Sequence, residues 1–257
     1  MPERAKVSES IFHLRPRVAD GRKIEILGIT HGGLTEIPRP DQKYLRKVLS
    51  RRSGLIFTED QPKSFVPKEF IPRTRVLELP IIHSLGERAF RKLARQEPGF
   101  ISRLVAQDFF SPIFDFKRHF LKATVHTKPA PKRQIERELF DSTASREMQA
   151  TPEWKFISNV RSLFMAGEAL RRARTAGKPV VIVTGVGHAS QIHEFIENPR
   201  LSLRYLNRLA GPVGREAERL GGRKSSKKAS ASARLFAKAV AEARQEFEQL
   251  QREKAPA

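Results

Sequence analysis

Two histidines follow apolar runs in this sequence, each at the same distance from a glycine. His31 comes three residues after Gly28, at the end of the run KIEILGIT, and His188 comes three residues after Gly185, at the end of PVVIVTG. An imidazole ring can bind a divalent metal ion and can also accept or donate a proton near neutral pH. The repeated Gly-x-x-His spacing therefore indicates that both rings belong to one chemical site.

A carboxylate stands at the end of a third apolar run. Glu59, with Asp60 beside it, closes the stretch LIFTED. Two imidazoles and a carboxylate suit three kinds of chemistry: a divalent metal ion that activates water, an iron porphyrin, or paired acid and base roles in hydrolysis. The simpler alternative is that each histidine only caps a helix or hydrogen-bonds a loop.

The elements that must position these residues alternate between strands and helices. The patterns predict strands at residues 23–30, 54–60 and 179–185, and helices at residues 39–52, 151–178 and 189–199. Strands buried on both faces of a parallel sheet are continuous apolar runs, and ligands bind where such strands end. A glycine just before each histidine permits a positive φ or a close backbone approach. We therefore expect His31, Glu59 and His188 to converge at the carboxyl edge of one sheet.

The predicted fold class is α/β, with a central and mostly parallel sheet between flanking helices. Residues 62–150 contain amphipathic stretches separated by prolines, which predicts a helical insertion. Residues 221–234 are rich in Gly, Ser and Lys, which is typical of a flexible linker, and residues 233–254 are typical of a helix. We expect an α/β domain over residues 1–220 and a basic linker with a C-terminal helix over residues 221–257. Removal of that extension should then leave the thermal midpoint of the domain nearly unchanged.

These motifs resemble the TraB/PrgY family and its relatives, the Tiki peptidases, the haem-binding ChaN proteins and the erythromycin esterase fold. That group combines Gly-Thr-x-His, a strand that ends in Glu, a helical Arg and a final Gly-x-Gly-His. The matching residues span positions 22–195, with Ile29 in the usual place of Thr, and they are Gly28, His31, Glu59, Arg161, Gly185, Gly187 and His188. The resemblance implies a site in which His31, His188 and Glu59 hold a divalent metal ion or, alternatively, haem. It also implies a hydrolase or peptidase that acts on a small molecule or peptide, with Arg161 stabilising an oxyanion or substrate carboxylate.

Composition limits the other classes of function. The chain has no cysteine, which excludes disulfides and thiolate-bound zinc. No stretch is long and apolar enough for a membrane span, so we expect a cytoplasmic protein. Lys and Arg number 49 against 28 Asp and Glu, a net charge of +21 that is spread along the whole chain. This charge predicts weak, non-specific binding to polyanions. The alternative to a hydrolase is a non-catalytic protein that binds nucleic acid through this basic surface or a haem-like ligand through the two histidines.

The remaining candidate residues carry weaker signals. His83, His119 and His126 have no carboxylate at a metal-binding helical spacing, so we expect structural or solvated roles. His193 is a candidate to support the site, although a helix that starts after His188 would not place the two rings side by side. Phenylalanines in residues 108–116 are interpreted as core or pocket wall rather than as a stacking surface for bases. Gly185-Val-Gly187 lacks the third glycine of a dinucleotide-binding loop.

Overall fold

The computed structural model describes residues 11–18, 22–29, 39–59, 62–77, 124–125, 152–208 and 227–254. Its strands are β1 (Ile11–Leu14), β2 (Ile24–Ile29), β3 (Leu55–Thr58), β4 (Thr74–Val76), β5 (Thr124–Val125) and β6 (Val180–Gly185). Its α-helices are α1 (Arg39–Ser50), α2 (Pro152–Ala176), α3 (Val186–Glu197), α4 (Pro199–Arg208) and α5 (Lys227–Lys254). Two 3₁₀ segments, Pro62–Ser64 and Lys68–Arg73, lie between β3 and β4.

The six strands form one mixed sheet in the order β4-β3-β6-β2-β1-β5. The pairings β4–β3, β3–β6 and β6–β2 are parallel, whereas β2–β1 and β1–β5 are antiparallel. Helices flank this sheet and a further helix follows near the C-terminus, which confirms the predicted α/β class. The middle strand β6 is buried at all six positions, as expected for a strand covered on both faces.

Helices cover the two faces of the sheet unequally. Leu45 and Leu49 of α1 pack with Leu27, Val181 and neighbouring apolar residues in one cluster. Alternate residues of a strand point to opposite faces, so Ile26 and Ile182, which are also fully buried, lie on the other face. There α2 and α3 pack against each other and against β2 and β6. The sheet therefore separates α1 from the pair α2 and α3.

Helix α3 begins earlier than the sequence pattern predicts. Its first residue is Val186, and Gly185 is the N-cap with φ −60° and ψ 147°. His188 therefore lies in the first turn of α3 instead of in a turn before the helix. Gly185 does not use a positive φ, and Gly177, just after the end of α2, is the one described glycine that does. Gly177 ends α2 as a left-handed residue, in the place that glycine favours.

The C-terminal helix is docked on the body, so the predicted isolation of this segment is wrong. Five small or apolar side chains of α5 are buried where it packs on α2 and α4, namely Ala239, Val240, Ala243, Phe247 and Leu250. The predicted linker is partly helical, because α5 starts at Lys227. Ala, Lys and Arg in residues 227–234 favour a helix, and that preference outweighs the serines between them.

Charged groups add to the docking of α5. Arg174 of α2 donates two hydrogen bonds to the carboxylate of the buried Glu246. Arg22 donates to Glu253. Lys254 donates to the backbone oxygens of Ile196 and Glu197 at 3.0 and 3.2 Å, at the end of α3. A cation at the C-terminus of a helix satisfies carbonyls that have no partner within the helix.

Residues 62–150, predicted as a helical insertion, supply two edge strands of the sheet, β4 and β5. The stretches 78–123 and 126–151 lie outside the described residues, and so do His83, His119, His126 and residues 108–116. Within the part of the chain that the structure describes, no helix has the length and apolar character to cross a membrane.

Candidate functional site

The carboxyl ends of the three parallel strands β2, β6 and β3 are aligned at one edge of the sheet. Ile29, the last residue of β2, pairs with Gly185, the last residue of β6. Thr58, the last residue of β3, pairs with Val183, so the next residue of the chain, Glu59, is level with Thr184. The register thus brings Glu59 and Gly185 to the same edge of the sheet, and the predicted convergence of His31 with Glu59 and His188 stays a prediction.

Glu59 is buried, with 5% of its surface exposed, and it contacts the end of β6 directly. Its Oε2 accepts a hydrogen bond from the backbone N–H of Gly185 at 2.9 Å. The same oxygen accepts a second hydrogen bond from the hydroxyl of Thr184. A carboxylate held by two donors has a defined orientation, so Glu59 is fixed against the first residue of the Gly-x-Gly-His motif.

His188 is bound to α2 through its ring. The imidazole is 9% exposed, and its Nδ1 lies 2.7 Å from the hydroxyl oxygen of Ser162. That hydroxyl lies 2.6 Å from Oε1 of Gln191, and the hydroxyl of Ser158 lies 3.1 Å from the same oxygen. The side chains of Ser158, Ser162, His188 and Gln191 therefore form one buried polar cluster between α2 and α3.

The contacts in this cluster predict the tautomer of His188. A serine hydroxyl has a single proton, and the hydrogen bond to Gln191 Oε1 assigns it to that oxygen. With the proton so assigned, Ser162 accepts from His188, and the expected neutral ring has its proton on Nδ1 and a lone pair on Nε2. An imidazole in this form can ligate a metal ion or accept a proton through Nε2.

Ser158, Ser162 and Gln191 were not identified from the sequence. The two serines are four residues apart on α2, and Gln191 is three residues after His188 on α3. Such spacings place side chains on one face of a helix. A pair of hydroxyls at this spacing among the buried apolar residues of α2 is a signal that could have located the cluster.

Arg161 lies on α2 immediately before Ser162 and is half-buried. Successive residues of an α-helix point about 100° apart, because 3.6 residues make one turn, so Arg161 and Ser162 project in different directions. The role of Arg161 towards a substrate stays a prediction.

The glycines of the two motifs occupy different environments. Gly28 lies within β2, where it pairs with Phe12 on one side and Thr184 on the other. Gly187 is exposed on the first turn of α3, and a Cβ added there would meet no atom of the described residues within 4 Å. Packing among these residues therefore does not require a glycine at position 187.

The complete ligand set stays a prediction, because His31 lies outside the described residues. Among the residues that the structure describes, no group of three or more His, Asp or Glu side chains is arranged to hold a metal ion. The Nε2 atom of His193 lies 4.0 Å from the carboxylate of Glu197, one turn further along α3.

Comparison of the chain with protein-family models, with curated proteins and with solved structures finds no match.

Proposed function

We propose that this protein is a TraB-like, metal-dependent hydrolase whose site lies at the carboxyl edge of the sheet, with Glu59, His188 and His31 as the ligands of a divalent metal ion. The observation that carries the proposal is the contact of Glu59 with Gly185, because it joins the carboxylate to the motif that ends in His188. The substrate class that suits the site is a small molecule or peptide.

The donor chemistry of the described residues fits such an ion. A carboxylate oxygen and an imidazole nitrogen are both common ligands of divalent metals. Histidines that ligate metals usually have the other ring nitrogen hydrogen-bonded to a neighbouring group, as Ser162 is to Nδ1 of His188. A bound divalent ion would lower the pKa of a coordinated water and supply hydroxide near neutral pH. Arg161 would then bind the developing negative charge of the substrate.

Zinc binding to the purified full-length protein tests the proposal. We expect isothermal titration calorimetry with Zn²⁺ to give one site per chain that persists at moderate salt. His31→Ala and His188→Ala should each weaken binding by at least about 100-fold, because loss of one ligand typically costs several kcal/mol. Glu59→Gln should also weaken it while preserving the shape of the side chain.

His193→Ala provides the matched control, since it removes an imidazole from the same helix that is not one of the three proposed ligands. It should bind Zn²⁺ as the wild type does. Absence of a zinc site in the wild type, or equal losses in His188→Ala and His193→Ala, would contradict the proposal.

A further inference from the structure

Helix α1 carries a regular row of positive charge on the side that faces away from the sheet. Lys43, Lys47 and Arg51 are exposed and follow one another at four-residue intervals. Arg39, the first residue of α1, continues the same spacing in sequence. Four residues advance a helix by about 6 Å, so Lys43 and Lys47, together with Arg51 directly after the end of α1, form a row along the helix axis.

This row is unfavourable to the helix that carries it. Like charges at i and i+4 repel and destabilise a helix by roughly 0.2–0.5 kcal/mol per pair. Other helices of the protein place opposite charges at this spacing, since Glu168 pairs with Arg172 at 2.7 Å and Lys238 with Glu242 at 3.8 Å. Within the described residues, no carboxylate forms an ion pair with Lys43, Lys47 or Arg51.

The segment that follows β3 extends the positive charge beside α1. Arg46 binds Glu69 at 2.6 Å, and Arg73 donates to the backbone oxygen of Leu49 at 2.6 Å, so residues 62–73 lie against α1. In residues 42–59 and 62–77 the only exposed carboxylate is Glu69, and Arg46 neutralises it. The eight exposed cations in these ranges are Lys43, Arg46, Lys47, Arg51, Lys63, Lys68, Arg73 and Arg75.

We propose that this surface, which we name the α1 cationic face and define by Lys43, Lys47, Arg51, Lys63 and Lys68, binds the phosphate backbone of a nucleic acid. Nucleic acid is the densest linear polyanion that a protein meets, with one charge per about 1.7 Å of duplex axis. A row of flexible, exposed ammonium groups suits such contacts, because lysine binds phosphate as a point charge. The binding is independent of base sequence.

An anionic membrane is a poorer match to the same surface. Helices that bind at a membrane surface insert an apolar face between the lipids. Leu45 and Leu49 of α1 are buried against the sheet, and Val48 packs against the same cluster, so α1 has no apolar face free to insert into a bilayer. The aromatic ring of Phe70 is buried as well, with the guanidinium of Arg73 4.7 Å above it.

The proposal is independent of the hydrolase site. The α1 cationic face lies on one side of the sheet, and α2 and α3, which carry Ser162 and His188, lie on the other. Substitutions in the cationic face should therefore leave zinc binding unchanged, and His188→Ala should leave nucleic-acid binding unchanged.

Fluorescence anisotropy with short labelled single-stranded and duplex oligonucleotides, measured over a range of salt concentrations, tests the proposal. The triple variant K43Q/K47Q/R51Q should bind at least about 10-fold more weakly at low salt. The slope of log K against log salt should fall by about 2–3, because each lost phosphate contact removes about 0.7–0.9 from that slope.

The control variant K178Q/R200Q/R252Q also removes three exposed positive charges, but from sites elsewhere on the surface. It should lose less than about 3-fold in affinity and keep nearly the same slope, since only long-range attraction is reduced. Equal losses in the two triple variants would overturn the proposal, because they would show an effect of net charge alone.

Two further measurements complete the experiment. The thermal midpoint of K43Q/K47Q/R51Q should equal or exceed that of the wild type, because repulsion along α1 is relieved. Polyglutamate and phosphatidylserine vesicles should bind at least about 10-fold more weakly than the oligonucleotides. Tighter binding of either one, abolished in K43Q/K47Q/R51Q, would overturn the proposal in favour of an acidic protein or a membrane.

Discussion

The carboxylate of Glu59 accepts a hydrogen bond from the backbone N–H of Gly185, a residue 126 positions further along the chain. The bond joins the end of β3 to the end of β6. It places the carboxylate beside the first turn of α3, where the backbone leads to His188. One side chain thus both stabilises the fold and defines the edge at which the proposed ligands meet.

Comparing Glu59→Ala with Glu59→Gln should distinguish the role of Glu59 as a hydrogen-bond acceptor from the effect of its negative charge. Glu59→Ala leaves the N–H of Gly185 and the hydroxyl of Thr184 buried without their acceptor, which should cost about 2–4 kcal/mol of unfolding free energy. Glu59→Gln retains an acceptor oxygen and should cost less than about 1.5 kcal/mol. Urea denaturation of the two variants measures the difference, and equal losses would refute the acceptor role.

A second prediction concerns which ring nitrogen of neutral His188 carries the proton. We expect ¹⁵N NMR of the histidine side chains to show the proton of the neutral ring on Nδ1, because Ser162 donates its own proton to Gln191. Ser162→Ala should shift the population towards the form with the proton on Nε2. His193 should be unaffected and serves as the internal control. A proton on Nε2 in the wild type would show that Ser162 donates to the ring instead.

The docking of α5 can be measured with a pair of substitutions on that helix. Phe247→Ala removes a fully buried ring and should cost about 3–5 kcal/mol. Leu235→Ala removes a side chain that is 53% exposed and should change stability by less than about 0.5 kcal/mol. Chemical denaturation provides both values. A small effect of Phe247→Ala would show that α5 contributes little to the fold.

Helices α2 and α5 approach closely at Gly167. A Cβ at this position would lie 2.9 Å from the Cβ of Ala243, so Gly167→Ala must push the helices apart. We expect a net loss of about 1–3 kcal/mol despite the gain in helix propensity. In the double variant with Ala243→Gly, the Cβ of residue 243 is absent and part of the loss should be recovered. A double-mutant cycle measures this coupling, and strict additivity would exclude the close contact.

Acid should destabilise the protein partly through Glu25, at the other end of β2. The ring of His13, 3.3 Å away, makes the largest contribution to lowering the pKa of the Glu25 carboxyl. Burial raises this pKa, whereas Arg52 and Arg15 lower it further, and the net effect is a lowered pKa. Because the pKa of Glu25 is lower in the folded protein than its unfolded-state value of 4.5, ionised Glu25 stabilises the folded state above pH 4.5. This stabilisation is lost as the pH falls through the pKa that Glu25 has in the folded protein.

Glu25→Gln should therefore reduce the unfolding free energy near neutral pH and flatten its dependence on pH below about pH 5. Glu248→Gln, which removes an exposed carboxylate from α5, is the control and should preserve the wild-type profile. Parallel pH profiles for Glu25→Gln and the wild type would exclude the linkage.

The strands and helices nearest the site could be predicted because their sequences have strong local signals. β6 begins with four consecutive apolar residues, and β2 is apolar apart from Glu25 and Gly28. Helix α2 begins at Pro152 and ends just before Gly177, two residues with clear positional preferences. The meeting of Glu59 with Gly185 followed from one general rule, that parallel strands end at a common edge.

The features that were missed depend on packing between distant segments. The sequence of residues 227–234 does not indicate that α5 packs on α2, because the surface of α2 that α5 contacts lies around Gly167, far away in the chain. The spacing of Ser158 and Ser162 marks a polar position on α2, but the partners of Ser162 become known only when α3 brings Gln191 and His188 beside it. Periodicity identifies a helix and its apolar face, but it does not identify the neighbour that covers that face.

The position of β6 between β2 and β3 determines when this sheet can assemble. Leu55 and Ile24 both pair with Val180, so neither β2 nor β3 has its central neighbour until the chain has been synthesised beyond β6. Closing loops of this length is slow, and unpaired strand edges stay open to other chains in the meantime. The two halves of the sheet can therefore join only after β6 has been synthesised, and aggregation through their open edges is the hazard inherent in this strand order.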